Sequence, residues 1–332
     1  MADNFTMSFS NPNYSGLLFR KGNEKTPFST IIGGKAYTTD HTEFSVGVFY
    51  NAATGEQPSI SEKASLTAPD AQSTSRTQET NVTQIFQQSY GVSDAKLSNM
   101  GTLNGLNAAN QVANPIDERV FQADRAMAKI AQDIEYTFIN GTYNKATSDT
   151  TVNKTKGILN AITSNVIAAD GKDLGYWLMM EAIKSISEKS GETQNLAGLV
   201  SSVQLMQVQK DAQENGLKVI SDGQEINGLK VTTIVTPFGN LSLSQGKYLP
   251  DGTALIFNPM YCAPVMQPVP EKGNFYDTLL GKTGNGEKHV IFGQTGLDYG
   301  AEYLHAKITG LATTFTAPEN GVLTRTAAAA KG

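Results

Sequence analysis

Residues 114–141 read NPIDERVFQADRAMAKIAQDIEYTFING, and every local signal in the stretch agrees on one long helix. Asn114 is a favourable N-cap, Pro115 sits where its missing N–H costs nothing, Asp117 and Glu118 complement the positive end of the helix dipole, and Gly141 marks the stop. Ile116, Val120, Ala123, Met127, Ile130, Ile134 and Phe138 recur at spacings of three and four, which predicts one apolar stripe. Arg119, Asp124, Arg125, Lys129, Asp133 and Glu135 are expected on the opposite face. About 26 residues at about 1.5 Å each make a rod of about 39 Å, the length of a domain spine.

What precedes the rod is its opposite in character. From Phe44 the chain alternates, with Phe44, Val46, Val48 and Tyr50 on one face and Ser45, Gly47 and Phe49 on the other, as a half-buried strand requires. A matching run follows at Val82, Phe86, Tyr90 and Val92. Between them, 51–79 is rich in Ser, Thr, Ala, Gln and Pro and has little that could form a core. A two-stranded ribbon is marginal alone in water, and a structureless loop of that length is unusual inside a compact domain. The excursion is therefore either a disordered insertion or an arm completed by another molecule, and its flanking strands favour the arm. Residues 1–35, with scattered aromatics and no sustained period, read as an extended N-terminal arm.

Beyond residue 150 helices and strands mix without strict βαβ alternation, an α+β layout. Asp173 can cap a helix with Leu174, Leu178, Ala182 and Ile186 inward, ending at Gly191, and Ser202 can cap another carrying Leu205 and Val208. Strand character is expected at 196–200, 229–235, 241–243, 254–257, 265–269, 289–292 and 302–311.

Composition bounds the function. The 332 residues are 39% hydrophobic and 17% charged, ample for a globular core, and the formal net charge is −5. That balance argues against a protein that binds by neutralising many phosphates, and against a polybasic membrane-surface protein. No stretch approaches the roughly 18 apolar residues of a membrane span, so a soluble protein made in a cytoplasm is expected. Cys262 is the sole cysteine and reads as a small buried hydrophobe. His41, His289 and His305 are too scattered for a local metal signature and read as strand or surface residues. Gly281-Lys282-Thr283 resembles the end of a phosphate-binding loop, but Tyr276 stands where the motif needs its first glycine, and a turn between strands is expected. No catalytic residue, cofactor site or metal site follows from these patterns.

The order of parts resembles a phage major capsid protein with the HK97-like fold, and more closely the SU10-type major head proteins. The stretches that carry the resemblance are Asn81-Val82-Thr83-Gln84-Ile85-Phe86 leading to Val92-Ser93, Asp133-Ile134-Glu135 before Asn140-Gly141, Lys156-Gly157-Ile158-Leu159, Thr236-Pro237-Phe238-Gly239, and 277–282 with the closing strands. The resemblance implies an N-terminal arm at 1–35, an extended β-hairpin loop at 36–93, a peripheral domain at 94–169 with its spine helix at 114–141, an axial domain at 170–288, return strands of the peripheral domain at 289–320 and a tail at 321–332. It implies self-assembly into hexamers and pentamers of an icosahedral shell around double-stranded DNA, located in the virion. Scaffolding, portal and decoration proteins are the further partners, with no sequence-specific DNA binding and no membrane. With only about 35 residues before the excursion, a separate scaffolding protein is expected rather than a removable N-terminal one. Phe44, Val46, Val48, Phe49, Tyr50, Ile85, Phe86, Arg119, Arg125 and Lys129 are the residues expected at subunit interfaces. The competing readings are a bacterial nanocompartment shell of the same fold, a nucleotide-binding enzyme using Gly281-Lys282-Thr283, and an adhesin or tail-decoration protein.

Overall fold

The computed structural model describes residues 25–315 apart from 53, 96–117, 216–218, 221–224, 227–228, 231 and 282–283. The arm at 1–24, the cap at Asn114 to Asp117 and the tail lie outside the described residues. The spine helix runs Glu118–Asn140.

The helix does not bury one straight stripe. Its N-terminal half rests on a sheet through Ala126 and Ile130, which pack with Phe86, Tyr90 and Ile291. Its C-terminal half enters the main core through Phe138 and Ile139, among Phe28, Ile32, Phe257 and Tyr299. The buried side therefore rotates along the rod, and Val120 and Met127 of the predicted stripe are 56% and 44% exposed. The same rotation draws in Glu135, expected on the outer face but fully buried. Its carboxylate accepts hydrogen bonds from the Phe28 and Ser29 amides at 2.8 and 2.7 Å and from the Ser29 hydroxyl at 2.6 Å. It thus receives the amide donors that the short helix Pro27–Ile32 leaves free at its start. Burial raises the Glu135 carboxyl above the usual range, and those three donors oppose the rise.

Two sheets flank the helix. In the first, the strand Gly286–Asp298 pairs along one edge with Gln84–Ser93, and along the other with Phe275–Leu279 and Ala263–Met266, beyond which lies Tyr37–Thr38. The second has seven strands in the order Val166–Ala168, Ala306–Thr309, Ala254–Phe257, Leu196–Val200, Gly239–Gln245, Thr232–Thr236 and Val219–Ile220. All five residues of Leu196–Val200 are buried, because the sheet is covered on both faces. Ala197, Leu199, Leu255 and Phe257 face the core shared with the spine helix. Leu196, Val200, Ile256 and Ile308 face the helices Tyr176–Ser190 and Ser202–Asn215, through Met179, Ile183, Ile186 and Val208.

This pairing redraws the expected segments. The return strand of the ribbon is Thr77–Val82, which pairs with Glu43–Phe49, whereas Gln84–Ser93 leaves the ribbon to join Gly286–Asp298. A boundary at 288 would cut a continuous strand, 263–279 belongs with the first sheet, and Ala306–Thr309 joins the second. The reason is non-local: which edge a strand finds depends on partners hundreds of residues away.

Candidate assembly surface

Past the paired strands, the ribbon carries a tip whose described residues from 51 to 78 are all exposed. One turn of helix, Glu62–Ser65, is capped by the Ser61 hydroxyl, which accepts from the Ala64 amide at 3.2 Å. Tyr50, Ile60 and Leu66 are 68%, 72% and 84% exposed. Large apolar side chains held this far out contact nothing of their own chain that removes them from water, which is the condition for a contact surface.

The root of the ribbon is held tightly. Asn81 is fully buried, and its side-chain amide donates to the Lys156 and Leu297 carbonyls at 3.2 and 2.8 Å while its oxygen accepts from the Lys156 and Val82 amides at 2.8 and 2.9 Å. Beside it the Thr155 amide donates to Gln84 Oε1 at 3.2 Å, and the Thr155 hydroxyl accepts from the Leu297 amide at 3.2 Å. Glu43 pairs with Lys145 at 2.5 Å and Glu79 with Lys156 at 2.7 Å. The segment carrying both lysines is fixed to the end of the spine helix where Gly141 and Gly157 cross. A Cβ on Gly141 would lie 2.4 Å from the Thr155 carbonyl oxygen, and one on Gly157 2.5 Å from the Gly141 nitrogen. The resembling stretches around Asn81, Asn140-Gly141 and Lys156-Gly157 thus converge on one place.

Of the residues expected at interfaces, Phe44 and Val46 are buried in the main core of their own chain and Phe86 in the cluster beneath the spine helix. They occupy the inward positions of their strands, where alternation alone does not say whose core they enter. Val48, Tyr50 and Ile85 are exposed, and Phe49 is half-buried with its ring edge on Tyr303 at 6.1 Å between centroids. Arg119 lies 3.8 Å from Glu287, Arg125 pairs with Asp124 and stacks over Phe121, and Lys129 pairs with Asp133. Exposed pairs of this kind are worth about 0–1 kcal/mol and exchange readily for pairs with a neighbour. Asn81, Lys156 and Glu135 stand in the resembling stretches, but their buried partners, and the part played by Glu79, were not legible in the sequence. Their polar types give no signal of burial until the partners from distant segments are in place.

The chemistry candidates are structural. Cys262 is buried, its thiol pushed well up by desolvation. His305 is fully buried; Nδ1 accepts from the Asn258 amide at 3.2 Å and Nε2 donates to the Tyr299 carbonyl at 2.6 Å, and burial holds its pKa down at about 4. It is a core residue rather than the strand or surface residue expected. His289 is likewise buried, stacked on Tyr90 with Nδ1 3.1 Å from Asp277. No cluster able to hold a metal occurs among the described residues, and no described helix is long and apolar enough to cross a membrane. Gly281 lies in the link between the antiparallel strands Phe275–Leu279 and Gly286–Asp298, closed by Leu280 N donating to Lys288 O at 2.7 Å, while Lys282 and Thr283 lie outside the described residues.

The sequence matches the family model of the SU10 major capsid protein over residues 1–312. No curated protein matches it in sequence. Among solved structures it is similar to the capsid of a native GTA particle, with a TM-score of 0.60 at 12% identity over 92% of this chain and 96% of that one. The encapsulin of the holo-SrpI complex from Synechococcus elongatus PCC 7942 gives 0.59 at 9% identity, covering 86% of this chain and 88% of that one. The structure from Mycobacterium phage Patience gives 0.55 at 10% identity over 87% and 84%. At these identities the likeness is one of fold, and the fold is the HK97-like one.

Proposed function

The chain belongs to the SU10 major capsid protein family, and on that premise we propose that copies of it, arranged as hexamers and pentamers, build the icosahedral head of a tailed phage around double-stranded DNA. Its role is structural. The observation that carries the reading is the ribbon: a rigid root and a tip with Tyr50, Ile60 and Leu66 in solvent. A closed shell needs heterologous contacts repeated around every subunit, and many modest contacts made at once add up. A ribbon that finishes its burial on a second copy supplies such a contact without a large core of its own. The partner surface is therefore another copy of this chain, with Val48, Tyr50, Ile60 and Leu66 as the contact residues on the ribbon and Ile85 on the neighbouring edge strand of the first sheet.

In this reading the spine helix and the first sheet form the peripheral domain, and the seven-stranded sheet with its two helices forms the axial domain. The acidic chain, net charge −5, suits a wall that faces packed DNA without adhering to it. Scaffolding, portal and decoration proteins would be the further partners, with synthesis in the host cytoplasm and residence in the virion.

The test replaces 50–76 by a two-residue Asn-Gly turn, which keeps both paired strands. The subunit is expected to fold and remain soluble, and electron microscopy should find no closed particles. Shells of normal size from the shortened chain would overturn the reading. Native particles free of nucleic acid and filled with an enzyme would transfer it to a nanocompartment shell.

A further inference from the structure

The ribbon changes character at a single place. Between Ser45 and Gly47 the pairing slips, so that Ser45 faces Thr80 and Gly47 faces Glu79, with Val46 as the extra residue. On the body side of this β-bulge Phe44, Val46 and Val82 are buried and Asn81 is bonded on every side. On the far side every described residue from 51 to 78 is exposed. A bulge interrupts the ladder and concentrates twist, so it is where a ribbon bends with the least loss of pairing. Gly47 suits that position: a Cβ there would lie 2.6 Å from the Phe49 ring.

At the bulge, Glu79 is fastened to the body. Its Oε1 accepts from Lys156 Nζ at 2.7 Å and from the Tyr299 hydroxyl at 2.8 Å, and the same ammonium lies 5.6 Å from the centre of the Tyr299 ring. Beyond it, among the described residues, the Phe49 ring lies against Tyr303. Lys156 follows Thr155 and precedes Gly157, the segment pinned to the end of the spine helix. Among the described residues the ribbon's direction is thus set by Glu79, at the edge of the root, and by Phe49, beyond the bulge.

We propose that the bulge at Gly47 is a pivot, and that Glu79 with Lys156 and Tyr299, together with Phe49 on Tyr303, is a latch that holds the ribbon in one direction on the free subunit. Release of the latch lets one sequence aim the same tip at neighbours in different positions without disturbing its root; this use rests on the shell reading, the latch itself does not.

Spin labels report it directly on the unassembled full chain. Cys262 is buried, so cysteines introduced at exposed Ser61 on the tip and exposed Glu181 on the body take the labels. The parent chain should give a narrow distance distribution. Glu79→Gln combined with Phe49→Ala should broaden it about twofold or more with far-ultraviolet circular dichroism unchanged. Should that pair lower the fold's stability, Tyr299→Phe and Lys156→Met combined with Tyr303→Ala opens both contacts from the body side and is read the same way. An equally narrow distribution in folded latch variants, or a parent distribution already as broad, overturns the proposal. Because the measurement uses free subunits, its failure leaves the shell reading standing, and loss of particles on shortening the ribbon is judged separately.

Discussion

The spine helix and the ribbon tip are segments of similar length that solve opposite problems. The helix Glu118–Asn140 finds most of its partners inside its own chain, with Val120 and Met127 left exposed: a sheet under Ala126 and Ile130, a core around Phe138 and Ile139, and a short helix on Glu135. Among the described residues the tip at 51–76 is exposed throughout, and Ile60 and Leu66 remain in water. Burial of a Phe or Ile side chain contributes about 1.5–3 kcal/mol, so the first segment stabilises the subunit while the second holds its contribution in reserve for association. The two meet at the root, where Asn81, Thr155 and the Gly141 and Gly157 crossing join the ribbon to the end of the helix.

If that contrast is right, substitutions on the helix should abolish folding and those on the tip should leave it untouched. The largest effect is expected from Ile130→Asp, which places an unpaired carboxylate in the cluster with Phe86 and Ile291. It should cost about 4 kcal/mol or more and leave the chain insoluble or unfolded in a denaturant titration. Asn81→Ala at the root strips partners from two buried amides and should lower stability by about 2–4 kcal/mol. A smaller loss would mean that the ribbon is joined to the body chiefly by Phe44 and Val46.

The core sheet adds a pH arm. His305 is held neutral by burial, its pKa lowered from 6.5 to about 4. A depressed value means that the unfolded chain binds the proton first as pH falls, so this contribution is complete above 6.5 and is lost progressively down to about 4. Roughly 3 kcal/mol is at stake, by the linkage of one pKa unit to about 1.4 kcal/mol. His305→Gln, although less stable at pH 7, should show a flatter decline in urea midpoint between those two values. The smallest effect belongs to the tip. Leu66→Ser should change stability by less than about 0.5 kcal/mol, and should nonetheless reduce the yield of closed particles seen by electron microscopy. Equal losses in stability and in assembly would erase the distinction between the two regions.

Much of this was legible in advance because it is local. The spacing of Ile130, Ile134 and Phe138, the continuous apolar run at 196–200, the stop at Gly191 with its φ of 70°, and the polar tip between alternating strands all belong to periodicity and turn chemistry. The candidate surface was legible in part for the same reason: a segment with little apolar content announces that it makes no core of its own. That Phe44, Val46 and Phe86 enter the core of their own chain was not legible, because alternation separates two faces of a strand but does not say whether the inner face meets its own subunit or another. The return strand was placed at 82–92 rather than Thr77–Val82 because the switch at Thr83, whose amide bonds the Thr42 carbonyl, leaves no mark in composition.

The amino-acid sequence by itself determined that this protein has a long helical spine, a mixed α+β body and a polar arm that needs a partner, since propensity, period and apolar content act over a few residues at a time. Only the tertiary structure decided that Glu135 and His305 are buried, that the spine turns a different side inward at each end, and that Asn81 and Glu79 hold and aim the ribbon. Those outcomes depend on desolvation and hydrogen bonds between groups up to 220 positions apart, and such groups have no defined surroundings until the chain has closed around them.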